Sequence, residues 1–228
     1  MKVLIVFGSG TRLLDPLIEE YLQTARVIRI YHSMAPVGRK NCVDIGNIDE
    51  LDRVLTEFEN TFNELEIDFV GAASVYQNEM LISMSETKIE QILETTISNY
   101  VRITRILLKH MVRAKYGSMV FLSSFKSQHF SAGTSLYSAS KAFGETFFSA
   151  IGKEYGRLGI RSAVIRMGYF DGKMLDTLLS HMPESLPASL KTANVGTSDQ
   201  LCSAVKFIIE NPMTNSGVLE LDGGLHFG

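Results

Sequence analysis

The sequence predicts an α/β protein built on a parallel sheet with helices on both faces. Three observations carry this. Short β-branched or apolar runs alternate with longer stretches of helical periodicity. Capping and stop signals fall at the boundaries between them. A chain of 228 residues, 45% hydrophobic and 21% charged, can bury a sizeable core in one domain.

The first strand, Lys2 to Phe7, breaks at Gly8-Ser9-Gly10 and leads into a helix over Asp15 to Gln23. Strands over Arg26 to Tyr31 and Asn41 to Asp44 follow, then a helix from Ile48 to Asn63, with Asn47 and Glu50 at capping-box spacing. Asp68 to Ala73 is the fourth strand, and Ser85 to Lys115 reads as one long helix. Ser118 to Ser123 and Arg161 to Met167 are strands separated by a helix from Leu136 to Arg157. Thr197 and Gln200 cap a helix over Asp199 to Asn211, Pro212 stops it, and Gly217 to Leu221 is the last strand. Leu175 to Ser198, with Pro183 and Pro187, shows no periodicity; lying after the sixth strand, it is expected to act as a lid over the strand ends.

Composition excludes several classes. A net charge of −3 with scattered basic residues argues against a nucleic-acid or anionic-membrane surface. Cys42 and Cys202 fit neither a disulfide framework nor a metal site, and His110 and His181 lack partners at metal spacing, so no metal is expected. The apolar start is interrupted too early for a signal peptide, and no run approaches a membrane span, which makes the cytoplasm the expected location.

The chemical signal lies in "MVFLSSFKSQHFSAGTSLYSASKAFGETFF". A strand ends at Ser123-Ser124; Tyr137 follows in the next helix, with Lys141 one turn beyond it. Positions i and i+4 share a helical face, so hydroxyl and ammonium can converge. A cation within about 4–6 Å favours the phenolate and lowers a tyrosine pKa by about 1–3 units. Tyr137 could then act as general acid or base while Ser124 binds the substrate oxygen.

At these residues the chain resembles the short-chain dehydrogenase/reductase family. "YSASK" at 137 to 141 matches its YxxxK active site, and Ser124 stands at the usual distance before it. "GVLELDGGLHFG" resembles its terminal VDGG segment, "GIRSAVIRMGYFDGKM" its strand and PG turn, and "CVDIGNIDELDRVL" the stretch with the adenine-side aspartate, here Asp44. The resemblance spans the whole chain. It implies a single doubly wound Rossmann-type domain over residues 1–228 with seven parallel strands in the order 3-2-1-4-5-6-7, assembled as a homodimer or homotetramer on helices 85–115 and 136–157. It also implies catalytic roles for Ser124, Tyr137, Lys141 and Thr96. Cofactor contacts would fall at Gly8, Ser9, Gly10, Thr11, Arg12, Leu13, His32, Ser33, Asp44, Ile45, Ala72, Ala73, Tyr137, Lys141, Gly168 and Phe170.

The departures from the pattern concern the cofactor cradle. Arg12 and Leu14 stand where the TGxxxGxG form has glycines, and Leu13 where GxGxxG has one. The NNAG segment reads Gly71-Ala72-Ala73-Ser74, the tetrad asparagine falls on Thr96, the proline of the PG turn is Met167, and the threonine that contacts the nicotinamide amide falls on Gly172. Gly8 and Gly10 still allow the turn, and Ser9, Thr11 and Arg12 offer hydroxyls and a guanidinium to phosphate. With side chains at 13 and 14, the helix is expected to stand off or approach at a different angle. Asn99, three residues beyond Thr96, could take over the asparagine's water-holding role. The second strand ends Ile30-Tyr31-His32-Ser33 without an acid and Arg39-Lys40 follow, which favours NADP(H) over NAD(H). Lys126, His129 and Arg166 could greet an anionic substrate. Met80, Met84, Met174 and Met182 could flank an apolar cleft.

Two functions are compatible with these residues. One is an NADP(H)-dependent oxidoreductase that interconverts a carbonyl and an alcohol on a small organic or acyl-type substrate. The other is a non-redox acid/base catalyst or binding scaffold on the same fold, with cofactor binding weakened or lost.

Overall fold

The computed structural model describes residues 1–8, 12–31, 42–172, 175 and 194–225, with backbone only at 42–45. Seven parallel strands form one sheet: β1 (Lys2–Phe7), β2 (Arg26–Ile30), β3 (Cys42–Ile45), β4 (Glu66–Gly71), β5 (Gly117–Ser124), β6 (Ile160–Met167) and β7 (Val218–Leu221). Their order is β3-β2-β1-β4-β5-β6-β7, so the winding reverses between β1 and β4. Ligands of such sheets bind in the crevice at that reversal, outside the carboxyl ends of the strands. Those ends carry Phe7, Gly71, Ser124 and Met167, the last two directly paired.

Apolar runs buried on both faces produce two cores. Val3, Ile5, Phe7, Phe69 and Phe121 face Leu51 and Leu55 of helix α2 (Asp49–Phe62), Ile103 and Leu107 of a helix ending at Ala114, and Phe148 of a 21-residue helix, Ser135–Tyr155. On the opposite face, Leu4, Val6, Val120 and Ile165 meet Leu17 and Ile18 of α1 (Asp15–Thr24) and Leu201 and Val205 of the last helix, Ser198–Glu210. The intervening helices are α3 (Glu86–Leu93) and α4 (Asn99–Ala114); the last two are α5 (Ser135–Tyr155) and α6 (Ser198–Glu210).

Three local expectations are corrected. β4 runs Glu66–Gly71 instead of 68–73, because Ala72 and Ala73 leave the ladder to pack against Gly8. The stretch 85–115 is helical but contains a π-turn at Glu94–Ser98, where the Thr96 hydroxyl donates to the Ile92 carbonyl and competes with the ladder. Asn47 forms no capping box; its Oδ1 accepts from Asp49 N at 3.0 Å and the helix starts after Ile48. The box of Thr197 and Gln200 is present, with Thr197 N donating to Gln200 Oε1 at 3.0 Å. No described helix is long and apolar enough to cross a membrane.

Candidate functional site

Ser124 is the last residue of β5, and its Oγ accepts from the Lys126 amide at 3.3 Å. Tyr137 lies in the first turn of α5, buried, with its hydroxyl close enough to Ser124 to be drawn downward in proton affinity by it. One turn on, Lys141 is 5% exposed and donates from Nζ to the Leu122 carbonyl at 2.8 Å. Its nitrogen lies 5.2 Å from the Phe121 ring centroid and 5.9 Å from that of Tyr137. The three side chains are thus brought together at the end of the strand next to the reversal.

Their proton affinities differ from the sequence expectation. Burial pushes the Tyr137 hydroxyl up to about 12, and Ser124 only partly opposes this. Burial also draws Lys141 down to about 7, against the upward pull of Glu145. Burial thus draws the lysine toward its neutral form and holds the tyrosine toward its protonated form, while Lys141 Nζ is engaged by a backbone carbonyl. Desolvation outweighs the expected cation effect.

Two residues overlooked in the sequence reading complete the surroundings. Gln77, fully buried after β4, accepts at Oε1 from the Leu136 and Tyr137 amides at 3.0 and 3.1 Å and donates from Nε2 to Glu79 O at 2.7 Å. It thereby satisfies open N–H groups at the start of α5. Tyr76 meets the Tyr137 ring edge-on at 5.3 Å. A lone glutamine or tyrosine in an aperiodic loop carries no sequence signal beyond its position after a strand that ends at the crevice.

The cofactor side is partly visible. Gly8 has φ +88°, and a Cβ there would fall 2.3 Å from Ala73 N. Ala72 N donates to Phe7 O at 2.8 Å and Tyr100 OH to Ala73 O at 2.8 Å, which fixes the floor of the crevice. Arg12 is exposed in a 3-10 turn, Arg12–Leu14, that precedes α1. Leu14 is fully buried among Leu17 and Ile18, so it enters the core and not the crevice. Leu13 O accepts weakly from Cys202 Sγ at 3.5 Å, and the Leu13 side chain comes within 3.9 Å of the position a Cβ on Gly172 would take.

Gly168 N donates to Leu221 O at 2.9 Å, and a Cβ on it would lie 2.6 Å from Asp222 Cα. Phe170 is buried in the core and forms a parallel bridge with Gly196. Asp44 and Ile45 pair with Arg29 and Ile30 at the end of β3. Ser9, Gly10, Thr11, His32, Ser33, Arg39, Lys40, Met174, His181, Met182 and most of the 175–198 stretch lie outside the described residues.

Thr96 has its hydroxyl engaged by Ile92, whereas Asn99 Oδ1 is buried and has no hydrogen-bond partner among the described residues. Arg166 is engaged by two carboxylates. It is 8% exposed, donates to Glu145 from Nε and Nη2 at 3.0 and 2.8 Å, and pairs with Glu220 through Nη1. Lys126 is half-buried, donates to Ser131 Oγ at 2.9 Å, and is drawn below the usual lysine range by burial. His129 is exposed. Among the described residues no three His, Cys, Asp or Glu side chains cluster as a metal site would require.

Known proteins share this architecture. The chain is similar to the 3-oxoacyl-(acyl-carrier-protein) reductase FabG of Chlamydia muridarum, 25% identical over 80% of this chain and 74% of that protein. Among solved structures, ElxO with NADP bound superposes with a TM-score of 0.83 at 16% identity, covering 100% of this chain and 99% of the other. The ligand-free aldohexose dehydrogenase of Thermoplasma acidophilum gives 0.84 at 19%, over 100% and 94%. At these identities the two structures speak to the fold alone. The short chain dehydrogenase profile matches residues 39–183, a stretch that runs from just before β3 through Ser124, Tyr137 and Lys141 and past β6. On that match the chain belongs to the short-chain dehydrogenase/reductase family of oxidoreductases.

Proposed function

We propose that the protein is an NADP(H)-dependent oxidoreductase that interconverts a carbonyl and an alcohol on a small organic or acyl-type substrate. The observation that carries this is Lys141: a long side chain buried on α5 and reaching the Leu122 carbonyl of β5, one turn from a buried tyrosine beside Ser124. Structure alone gives a lysine little reason to be there, because an apolar side chain would fill the space at lower desolvation cost.

The residues fit a nicotinamide nucleotide at the Tyr137 end. Gly8 carries no side chain where it lies against Ala73, and the Leu14 side chain is buried in the core, so neither residue fills the crevice. Lys141 would hold the ribose hydroxyls, Ala72, Ala73 and the backbone of Gly168 and Phe170 would line the ring's surroundings, and Arg12 with Ser9, Gly10 and Thr11 would face the phosphates. The bound nicotinamide supplies or accepts the hydride. Ser124 orients the substrate oxygen, and Tyr137 gives or takes the proton at that oxygen. Ligand hydroxyls at Lys141 would favour its charged form and lower the Tyr137 pKa toward the working range. The absence of an acid in Ile30-Tyr31-His32-Ser33 supports NADP(H) over NAD(H). The reductase of Chlamydia muridarum supports an acyl-type substrate. Soluble cytoplasmic assembly as a homodimer or homotetramer, and a lid over 175–198, belong to the same proposal.

Nicotinamide-fluorescence titration with NADPH and NADH, followed by turnover assays on 3-oxoacyl thioesters and simple ketones, tests it. NADPH should bind more tightly than NADH, and Tyr137→Phe should keep that binding while turnover falls about 10²–10⁴-fold. Binding of neither nucleotide at millimolar concentration would overturn the redox reading. That outcome favours the non-redox scaffold, which the joint departure of the glycine loop, Gly71-Ala72-Ala73-Ser74, Thr96, Met167 and Gly172 from the family pattern supports.

A further inference from the structure

Tyr137, Lys141 and Glu145 stand at i, i+4 and i+8 on one face of α5. Two of them grip the end of β5 at successive residues: Lys141 Nζ donates to Leu122 O, and Glu145 accepts from Ser123 Oγ at 2.7 Å. Ser124 comes next in the strand. Beyond Ser124, the turn is fastened to the same carboxylate, because Ser127 Oγ donates to Glu145 Oε1 at 2.5 Å. Arg166, at the end of β6, approaches that carboxylate with two donors and is itself paired with Glu220 on β7. Glu145 and Arg166 are both nearly buried, with side chains 11% and 9% exposed, while Glu220 is half in solvent at 46%.

We propose that Glu145, held by Arg166, is a positioning residue: it fixes Ser124 from both sides through Ser123 and Ser127 and provides the counter-charge for Lys141. The inference rests on the roles proposed above for Ser124 and Lys141. Four hydrogen bonds converge on one carboxylate, and a network so fully satisfied rigidifies its surroundings. Among the described residues, the charged and titratable groups named around Lys141 are Tyr137 and Glu145 on its own helix, with Tyr76 packed on Tyr137. Behind Glu145 stand Arg166 from β6 and Glu220 from β7. Glu145 pulls the Lys141 proton affinity upward against burial, and Arg166 keeps Glu145 ionised.

The experiment is an NMR titration of the full chain carrying ¹³C at the lysine ε-carbons, with the Lys141 signal assigned by its disappearance in Lys141→Met. In the unsubstituted protein the midpoint should lie near 7. Glu145→Gln should lower it by about one pH unit. In turnover assays the same variant should move the alkaline limb of the pH profile downward and reduce kcat about tenfold, with KM within about twofold. Ser127→Ala keeps the charge, so it should reduce kcat without moving the midpoint. A folded Glu145→Gln with an unchanged midpoint overturns the counter-charge role. Should Glu145→Gln not fold, Glu145→Asp must hold the midpoint near 7 and Ser127→Ala must lower kcat; failure of either overturns the proposal. The lysine titration needs no turnover, so it stands apart from the fate of the redox reading.

Discussion

Lys141 is the residue whose energetics separate function from folding. Its proton affinity in the folded chain lies near 7, against an ordinary value of 10.5. Between those two pH values the unfolded chain carries a proton that the folded chain does not, so stability rises with pH across the window. Below it both states are charged, and the folded state bears the full desolvation cost. Lys141→Met should therefore stabilise the protein by about 1–3 kcal/mol at pH 6, since Glu145 keeps Arg166 and is not orphaned. By pH 10 the difference should shrink. Chemical denaturation at both pH values checks this, and an equal difference at both, or a destabilisation at pH 6, contradicts it. At this scale the sequence displayed the reacting types but not their surroundings. Ser124, Tyr137 and Lys141 were readable because strand end, helix phase and spacing agree; Gln77 and Tyr76 were not, because their roles arise from contacts across about 60 residues of chain. Arg166 was misjudged for the same reason: its partner Glu145 is remote in sequence and adjacent only once α5 lies on the sheet.

At the scale of elements, the site depends on how closely α5 lies on β5. Gly144 permits that approach: a Cβ there would fall 2.2 Å from two Phe121 ring carbons. Phe121 has no room to yield, being stacked on Phe148 at 5.1 Å and met edge-on by Tyr100 at 5.2 Å. Gly144→Ala should push α5 outward, carrying Tyr137, Lys141 and Glu145 with it. The expected cost is about 1–3 kcal/mol of stability, together with a loss of turnover larger than the stability loss explains. Thermal unfolding and kcat measured at a temperature where the variant remains folded test this; a destabilised variant with unchanged kcat would show that the spacing serves folding alone. The elements themselves were largely readable, because apolar runs and caps mark strands and helices independently of tertiary context. The π-turn at Glu94–Ser98 escaped, since a threonine hydroxyl that captures a helix carbonyl leaves no mark on hydrophobic periodicity.

For the whole molecule, the decisive feature is that the proposed nucleotide crevice lies where the sheet reverses its winding. One side is built from β1 and the 3-10 turn before α1, the other from the ends of β4, β5 and β6. A ligand there contacts both halves of a single sheet, so its binding free energy adds to global stability and not merely to the order of one loop. At 100 times its dissociation constant, NADPH should stabilise the protein by about 2.7 kcal/mol. For a chain of this size each kcal/mol shifts Tm by about 2–4 °C, so a rise of about 5–10 °C is expected. NADH at equal concentration should give less, because a second strand that ends without an acid suits a 2′-phosphate. Arg12→Glu should weaken the response to both nucleotides, because both carry the pyrophosphate that Arg12 would face, while a variant that unfolds the crevice would lose secondary structure as well. A thermal-shift series with both nucleotides and this variant is sufficient. Equal responses to NADPH and NADH would remove the cofactor preference, and no response to either would remove the nucleotide from the account of this crevice.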